Sequence, residues 1–570
     1  MNRFLARLEG GRIVSSQVPE RHDQCLVFWR GYIANRDEVL RAAQQAGIVP
    51  ANTTEGGIFA LAYRVWGVTM QARLLGEYAA AIFDERTGVL LLTHDGLGLL
   101  PLFYTEEPAC LRFGSHLEGL VLETGIGDLD EEYIADYVAT GSFTSARTPY
   151  AHIKRLTFGH SLVREREQVR VQRTWNLTRS STVATGDDRA YEERFLAILR
   201  EGVTAALRAT GPVWTELSGG LDSSTVAAIA AGTGASGVEA ISLVYRRYSD
   251  ADELSWMKLI GEHCKMRRHE LAGDDLLPFS ELPDRFYAEP GAVRIDWNWR
   301  RRFEELLRDQ GVAAVLTGQG GDLVLYGHGT EPIHLADLAR TCRFGTLYSE
   351  LTRWQAQDPQ RRSRLHWLVN YVARPLVSRL RGRTLRPAWL GSAASLVSDD
   401  YAAKMAMAER ARQPATGRCG SIEEYGFTHN LIGFCSRMAN LNQMPDGFEF
   451  RHPLLYRPLV EFMLNLPPAQ KFHPAMARYL QRRALTGILP EAVRTRGDKT
   501  IFDQPYYEGL RLGRVWTQQL TDDPRVVQRG IVDAARWQEA VAQARLGRTA
   551  RLREFESIAV LEVWLRQLEP

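Results

Sequence analysis

Two hydrophobic rhythms divide the chain. Up to about residue 177 the apolar positions come in short runs between turn residues, and Cys25 to Trp29, Tyr78 to Phe83 and Val89 to Thr93 each read as a strand. From about Ala190 to Ala209 they recur at helical spacing, and the polar stretch Thr178 to Arg189 before them reads as a linker. Beyond it, strand-like runs at Val213 to Leu217, Val238 to Tyr245 and Val312 to Leu316 alternate with helical segments, the pattern of a doubly wound parallel sheet. The pattern predicts a two-domain α/β protein: a β-rich domain over 1–177, a linker over 178–189 and an α/β domain over 190–570.

Composition narrows this frame. A chain of 570 residues exceeds one hydrophobic core, which agrees with two domains. A formal net charge of +2 predicts neither a nucleic-acid protein nor an acidic tail. Of the 70 basic residues 64 are Arg and six are Lys, so each lysine is conspicuous. Six cysteines, scattered with no CxxC pair, point to reduced thiols rather than a zinc site. No signal peptide and no membrane-length apolar run is visible, so the expected location is the cytoplasm.

The chemistry starts at Leu217-Ser218-Gly219-Gly220-Leu221-Asp222-Ser223-Ser224, between the strand at Val213 and an Ala-rich helix. Two glycines let backbone approach a ligand, and a helix N-terminus offers free N–H groups to phosphate. Asp222 adds a hard oxygen donor suited to Mg²⁺ on a pyrophosphate. The run lacks the Gly-Lys-Ser ending of the loop that grips β- and γ-phosphates. It resembles the SGGxDSS loop of ATP pyrophosphatases, which split ATP between the α- and β-phosphates. That resemblance makes Leu217, Ser218, Gly219, Gly220, Asp222, Ser223 and Ser224 nucleotide-binding residues, and places Leu243, on the next strand, beside the adenine.

A second glycine-rich run, Thr317-Gly318-Gln319-Gly320-Gly321-Asp322, follows the strand at Val312. In a doubly wound sheet both runs fall on the rim at the carboxyl ends of the strands. The run resembles the corresponding element of asparagine and β-lactam synthetases, which implies that Gly318 binds nucleotide and that Asp322 faces Asp222 across one Mg²⁺. Gln319 stands at a catalytic position where those families carry Glu or Tyr, yet an amide is no general base at neutral pH. Ser249 to Glu253 resembles the family's acidic stretch after the adenine-binding backbone, with a solvated helix start as the plainer reading. Gly447 to Leu455 resembles G-x-E-x-R-x-P-F-L but departs from it at His452. Leu489 to Lys499 resembles the LPxxVxxRxxK ending, which makes Lys499 the catalytic cation aimed at the developing charge.

The first domain carries a pattern of its own. Gly31 to Asn35, Leu75 to Asp84, His94 to Tyr104, Phe113 to Leu120 and Trp175 resemble, in order, a class II glutamine amidotransferase of the Ntn-type αββα fold. The nucleophile of that family is an N-terminal cysteine; residue 2 is Asn2, and glutaminase activity is expected to be absent. From Arg353 to Arg386 nine arginines meet one acid, Asp358, interleaved with Trp354, Trp367 and Tyr371, inside an Arg-rich insertion at about 330–420. A solvated face, a site for nucleic acid or an anionic membrane surface, a peptide pocket wall and a docking face for a partner are all compatible with it.

The whole chain resembles the lasso-peptide cyclases, the macrolactam synthetases. Their chemistry implies that ATP and Mg²⁺ activate an Asp or Glu side chain of a precursor core peptide as its adenylate, and that the peptide's N-terminal amine closes the ring. The resemblance implies a leader peptidase and a leader-binding protein as partners. A small-molecule amide or β-lactam synthetase, an ammonia-dependent asparagine synthetase-like enzyme and a non-catalytic ATP-binding protein remain the alternatives.

Overall fold

The structure is a computed structural model that describes residues 3–50, 52–108, 110–140, 146–180, 187–235, 237–248, 251–291, 295–327, 332–358, 360–380, 395–410, 420–442, 447–498, 500, 503–548 and 552–568. In the first domain two antiparallel sheets lie face to face. One orders Arg12–Ser15, Leu5–Glu9, Cys110–Gly114, Phe103–Glu107 and Lys154–Arg155; the other orders Gln168–Arg173, His160–Glu165, Val89–His94, Gly76–Asp84, Cys25–Ile33 and Glu20–His22. Side chains alternate between faces. From Gly76–Asp84, residues Ala79, Ala81 and Phe83 enter the core between the sheets, whereas Tyr78, Ala80 and Ile82 meet the helices Arg36–Gln45 and Glu55–Trp66. Both faces are covered, which is why this strand reads as continuously apolar. Helices Leu117–Thr124 and Glu131–Thr140 back the other sheet, completing four αββα layers.

In the second domain five strands run parallel, in the order Arg268–Ala272, Glu239–Val244, Val213–Glu216, Ala314–Leu316, Glu449–Arg451. The chain builds outward on one side of Val213–Glu216 and then returns to lay Ala314–Leu316 on the other, so the order reverses between these two strands. Crevices that hold ligands open at the carboxyl ends of such a reversal. The expected inner strands are present with ends shifted by one or two residues. Arg268–Ala272, charged and half-exposed, and Glu449–Arg451, three residues long, carry too little apolar pattern to be read as strands.

The linker is shorter than its composition suggests. Asp187 accepts a hydrogen bond from the Arg189 N–H and caps the helix Asp188–Ala206, which begins and ends slightly earlier than predicted; residues 181–186 lie outside those described. In the Arg-rich insertion the aromatic residues turn inward: Trp354 and Trp367 pack at 5.2 Å, Trp367 and Tyr371 at 4.9 Å, and all three are buried. Arg353 pairs with Glu350, and Arg362 with Asp358 and the Trp367 face. These rings build a helical core and are not base-stacking platforms. Among the described residues no helix is long and apolar enough to cross a membrane. Cys25, Cys110, Cys264, Cys342 and Cys435 are unbridged, and Cys419 lies outside the described residues.

Among the described residues two hydrophobic clusters span the domains: in one, Trp516, Trp537 and Phe555 of the C-terminal helices join Phe103, Leu117 and Tyr133, and in the other, Leu454 and Leu455 join Tyr32, Leu97 and Leu99. Nearby, Arg155 of the first domain forms an ion pair with Glu289, whose other oxygen accepts from Asn440 Nδ2 at 2.8 Å; the paired side chains are only 6% and 2% exposed. Breaking a buried pair from one side leaves an uncompensated charge, which costs about 3–5 kcal/mol. Arg155→Met is therefore expected to destabilise the protein by about 3–5 kcal/mol in chemical denaturation, and Arg155→Met with Glu289→Met to recover most of that loss. Equal stability of the Arg155→Met single variant and the parent would show that the pair is not needed.

Candidate active site at the sheet reversal

The strand Val213–Glu216 ends at a turn, and the helix Leu221–Gly232 starts with Gly220 as its N-cap. Leu221, Asp222 and Ser223 thus occupy the first turn, where backbone N–H groups have no intrahelical acceptor. The turn is held from within. Ser223 Oγ accepts from the Ser218 N–H at 3.2 Å and lies 2.9 Å from Ser218 Oγ, and Ser242 Oγ donates to the Leu217 carbonyl at 2.7 Å. Gly219 takes φ +79° with its α-carbon against Trp256. Leu243, half-buried, sits on the strand beside Leu217, whose N–H donates to Ile241 O at 2.9 Å.

The second run crosses the first at close quarters. A Cβ on Gly318 would lie 2.5 Å from the Ser223 nitrogen, and one on Gly321 would lie 2.4 Å from the Asp222 carboxyl carbon. At Gly318 the neighbour is backbone and only glycine fits, whereas at Gly321 a side chain would displace the Asp222 carboxylate. Asp322 and the exposed Gln319 then stand on the rim beside Asp222, as the sheet topology requires.

Asp222 and Asp322 meet on one guanidinium. Arg478 Nη2 donates to Asp222 Oδ2 at 2.8 Å and to Asp322 Oδ1. Gln481 Nε2 donates to Asp222 Oδ1 at 3.2 Å and to Thr225 Oγ1 at 3.0 Å. Arg478 is in the left-handed region at φ +55°, with its N–H on the Tyr326 carbonyl at 3.0 Å. Burial raises the Asp222 carboxyl above the ordinary carboxylate range, the Arg478 charge opposes the rise, and the Asp322 charge adds to it. Arg478 and Gln481 went unnoticed in the sequence, where one more arginine carries no signal.

The segment leading to Lys499 is anchored by Arg496. Its guanidinium pairs with Glu253 at 2.8 Å, lies 4.8 Å from the Trp256 ring centroid, and donates to Gly219 O at 3.4 Å and Thr500 Oγ1 at 2.9 Å. Arg482 adds a clamp, donating to the carbonyls of Ala477, Arg494 and Arg496. Lys499 itself lies outside the described residues, as do Asn2, Ser249 and Asp250. Glu253 is a buried ion-pair partner of this segment, so the solvated-helix reading of its acidic stretch does not hold for that residue. Lys471 is buried and bound to Glu423 and the Leu464 carbonyl, with burial lowering its pKa to about 8.

The donor set fits Mg²⁺ held partly by phosphate. Two carboxylates converge on one positive charge, and among the described residues no cluster of three His, Cys, Asp or Glu side chains forms a complete cage. Mg²⁺ is usually bound by one or two carboxylates, with substrate phosphates and water completing its shell.

The asparagine synthase family profile matches residues 194–566, and a glutamine amidotransferase domain profile matches 16–175. Asparagine synthetase 3 (glutamine-hydrolysing) of Bacillus subtilis is 24% identical over 506 residues, covering 85% of this chain and 76% of the relative. A putative asparagine synthetase of Mycobacterium tuberculosis is 24% identical over 600 residues, covering 96% and 85%. Amidase chyE of Penicillium rubens is 24% identical over 569 residues, covering 89% and 81%. Among solved structures, the glutamine phosphoribosylpyrophosphate amidotransferase of B. subtilis overlaps at a TM-score of only 0.21, with 11% identity over 52% of this chain and 72% of that one. The synthase match spans well over half of the sequence: the chain belongs to the asparagine synthase family and is an ATP-dependent amide-forming ligase.

Proposed function

We propose that this ligase is a macrolactam synthetase of the lasso-peptide cyclase type, joining an Asp or Glu side chain of a precursor core peptide to the peptide's own N-terminal amine. The observation that carries the reading is the state of the first domain's cysteines. Cys25 and Cys110 both lie buried within strands, and burial, with Asp84 nearby, pushes the Cys25 thiol up to about 11. A class II amidotransferase needs a thiol and an α-amine on one residue, and neither cysteine has that amine. Without glutamine-derived ammonia, the amine comes with the substrate.

In the first step the peptide carboxylate attacks the α-phosphate of ATP, the α–β bridging bond breaks, and pyrophosphate leaves. In the second the amine attacks the acyl carbon, loses one proton, and AMP leaves. The Leu221, Asp222 and Ser223 N–H groups face the phosphates at the positive end of the helix. Asp222 and Asp322 would hold Mg²⁺, which when bound neutralises phosphate charge and orients the leaving group. Arg478 lies between these acids and supplies positive charge where pyrophosphate departs. Arg496 and Arg482 hold the segment up to Asp498, and the role assigned to the next residue, Lys499, is that of a compact ammonium meeting charge developing on the α-phosphate and the acyl oxygen. Gln319 is assigned a rim contact to substrate rather than proton transfer. A leader peptidase and a leader-binding protein complete the proposed pathway step.

Asp222→Ala and Asp322→Ala are each expected to lower pyrophosphate release by about 100-fold or more, measured with ATP and a linear acceptor peptide. Lys499→Ala should lose about 100-fold to 1,000-fold in turnover while equilibrium ATP binding stays within about twofold. Full activity in either aspartate variant would remove the metal assignment. With the parent enzyme, ATP and a linear peptide bearing a free amine and an acidic side chain, mass spectrometry should show loss of one water with equimolar AMP and pyrophosphate. Glutamate released from glutamine, or ring closure of a β-amino acid with no peptide present, would overturn the peptide reading.

A further inference from the structure

An acid stands at one end of an apolar strand, next to the second domain. In Gly76–Asp84 of the first domain, Glu77 is 5% exposed and points out of its own domain. Its Oε1 accepts the His452 backbone N–H at 2.6 Å and the Tyr32 hydroxyl at 3.3 Å, and its Oε2 lies 2.9 Å from His452 Nδ1. His452, itself 2% exposed, follows the edge strand Glu449–Arg451 of the second domain. The carboxylate therefore grips both the main chain and the ring of one residue across the domain boundary. A mere packing role would be filled by another apolar side chain at no desolvation cost.

From His452 the path to the site is short. The His452 carbonyl accepts the Leu455 N–H at 2.8 Å, closing the turn Pro453–Leu455. Leu455 packs so tightly on Gly320 that a Cβ there would lie 2.6 Å from its Cδ2. Gly320, at φ +88°, caps the short helix Gly321–Val324 that carries Asp322. The same segment meets the start of the run, since the Thr317 N–H donates to the Arg451 carbonyl at 2.9 Å. Both ends of the Thr317 to Asp322 loop thus lean on residues 451–455, and Glu77 holds that segment from the other domain.

We propose that Glu77 is a positioning residue: by clamping His452 it fixes the Pro453–Leu455 turn and, through Leu455 and Gly320, the placement of Asp322. This assigns the amidotransferase-like domain a part in assembling the ATP site. The inference deepens the role given above to Asp322 and rests on it only for the metal, because loop order is read with neither nucleotide nor metal present.

The test is amide hydrogen exchange on the full chain. Glu77→Ala is expected to speed exchange across 317–327 by about 10-fold while the 218–232 segment stays at the parent level. Glu77→Gln, whose amide oxygen still accepts the His452 N–H, should restore most of the protection. Leu455→Ala, which removes none of the hydrogen-bond partners of Glu77, should loosen 317–327 in the same way, and it carries the test should Glu77→Ala not fold. With Mn²⁺ and a non-hydrolysable ATP analogue as probes, Glu77→Ala should weaken Mn²⁺ binding measured by electron paramagnetic resonance by about 10-fold, and leave analogue binding in EDTA within about twofold. Unchanged protection of 317–327 in Glu77→Ala or in Leu455→Ala overturns the proposal, as does an equal loss of protection in 218–232. Loosened loops with unchanged Mn²⁺ binding would keep the clamp and remove Asp322 from the metal.

Discussion

Two carboxylates that must approach one another are the constraint on which the second domain is built. Asp222 opens the helix after one strand and Asp322 stands after its neighbour across the sheet reversal, so topology alone drives two like charges together. The two loops meet where Gly318 lies against the Asp222 and Ser223 backbone and Gly321 against the Asp222 carboxylate. Opposite charge is the remaining solution, and Arg478 supplies it with one guanidinium nitrogen shared between both acids. Its left-handed backbone costs about 1–2 kcal/mol, which two charge-assisted hydrogen bonds of about 1.5–3 kcal/mol each offset. Both carboxylates thus share one positive charge at the rim of the sheet.

The boundary between the domains follows a related rule, with arginine as the donor. Arg208 reaches the carbonyls of Ile33 and Ala34, Arg457 those of Gln71 and Ala72, and Arg30 that of Asn442. Arg451 lies over the Tyr32 ring at 4.6 Å and also donates to the Ala206 and Arg208 carbonyls. A guanidinium offers five donors in a fixed plane and satisfies several carbonyls at the ends of strands and helices at once, which an ammonium does less well. The preponderance of arginine over lysine is thus structural at this boundary. It leaves Glu77 and Glu289 as the buried acids that meet donors from the opposite domain.

How much of this was legible in the sequence follows from how local each feature is. The strand, turn and helix around Ser218 to Ser224 are encoded by contiguous residues, and so are the long apolar strands of the first domain, covered on both faces. The strand at Arg268–Ala272 was missed because its burial comes from one neighbour and its polar residues hide the period. The Trp354, Trp367 and Tyr371 pattern was ambiguous because spacing alone does not say whether rings turn inward; packing decides that. Arg478 was invisible for two reasons: it lies 256 residues from Asp222, and its left-handed conformation has no sequence signature in a chain rich in arginine. Glu77 did leave a trace, as an acid directly before the apolar run Tyr78 to Phe83, and a buried charge so placed marks a partner from elsewhere in the fold.

The chemistry proposed for this architecture makes the retained first domain intelligible. An acyl-adenylate is attacked by water as well as by amine, so a ligase gains from holding the amine close before the adenylate forms. When ammonia arrives from a second active site, a glutaminase domain must deliver it in step with adenylation. When nucleophile and carboxyl belong to one peptide, proximity is supplied by the substrate, and closure becomes an intramolecular step whose effective molarity far exceeds any free amine concentration. Selection on the cysteine is then lifted, while selection on the surface that holds residues 451–455 is not. On that reading the first domain's work is to hold residues 451–455 of its neighbour in place through Glu77.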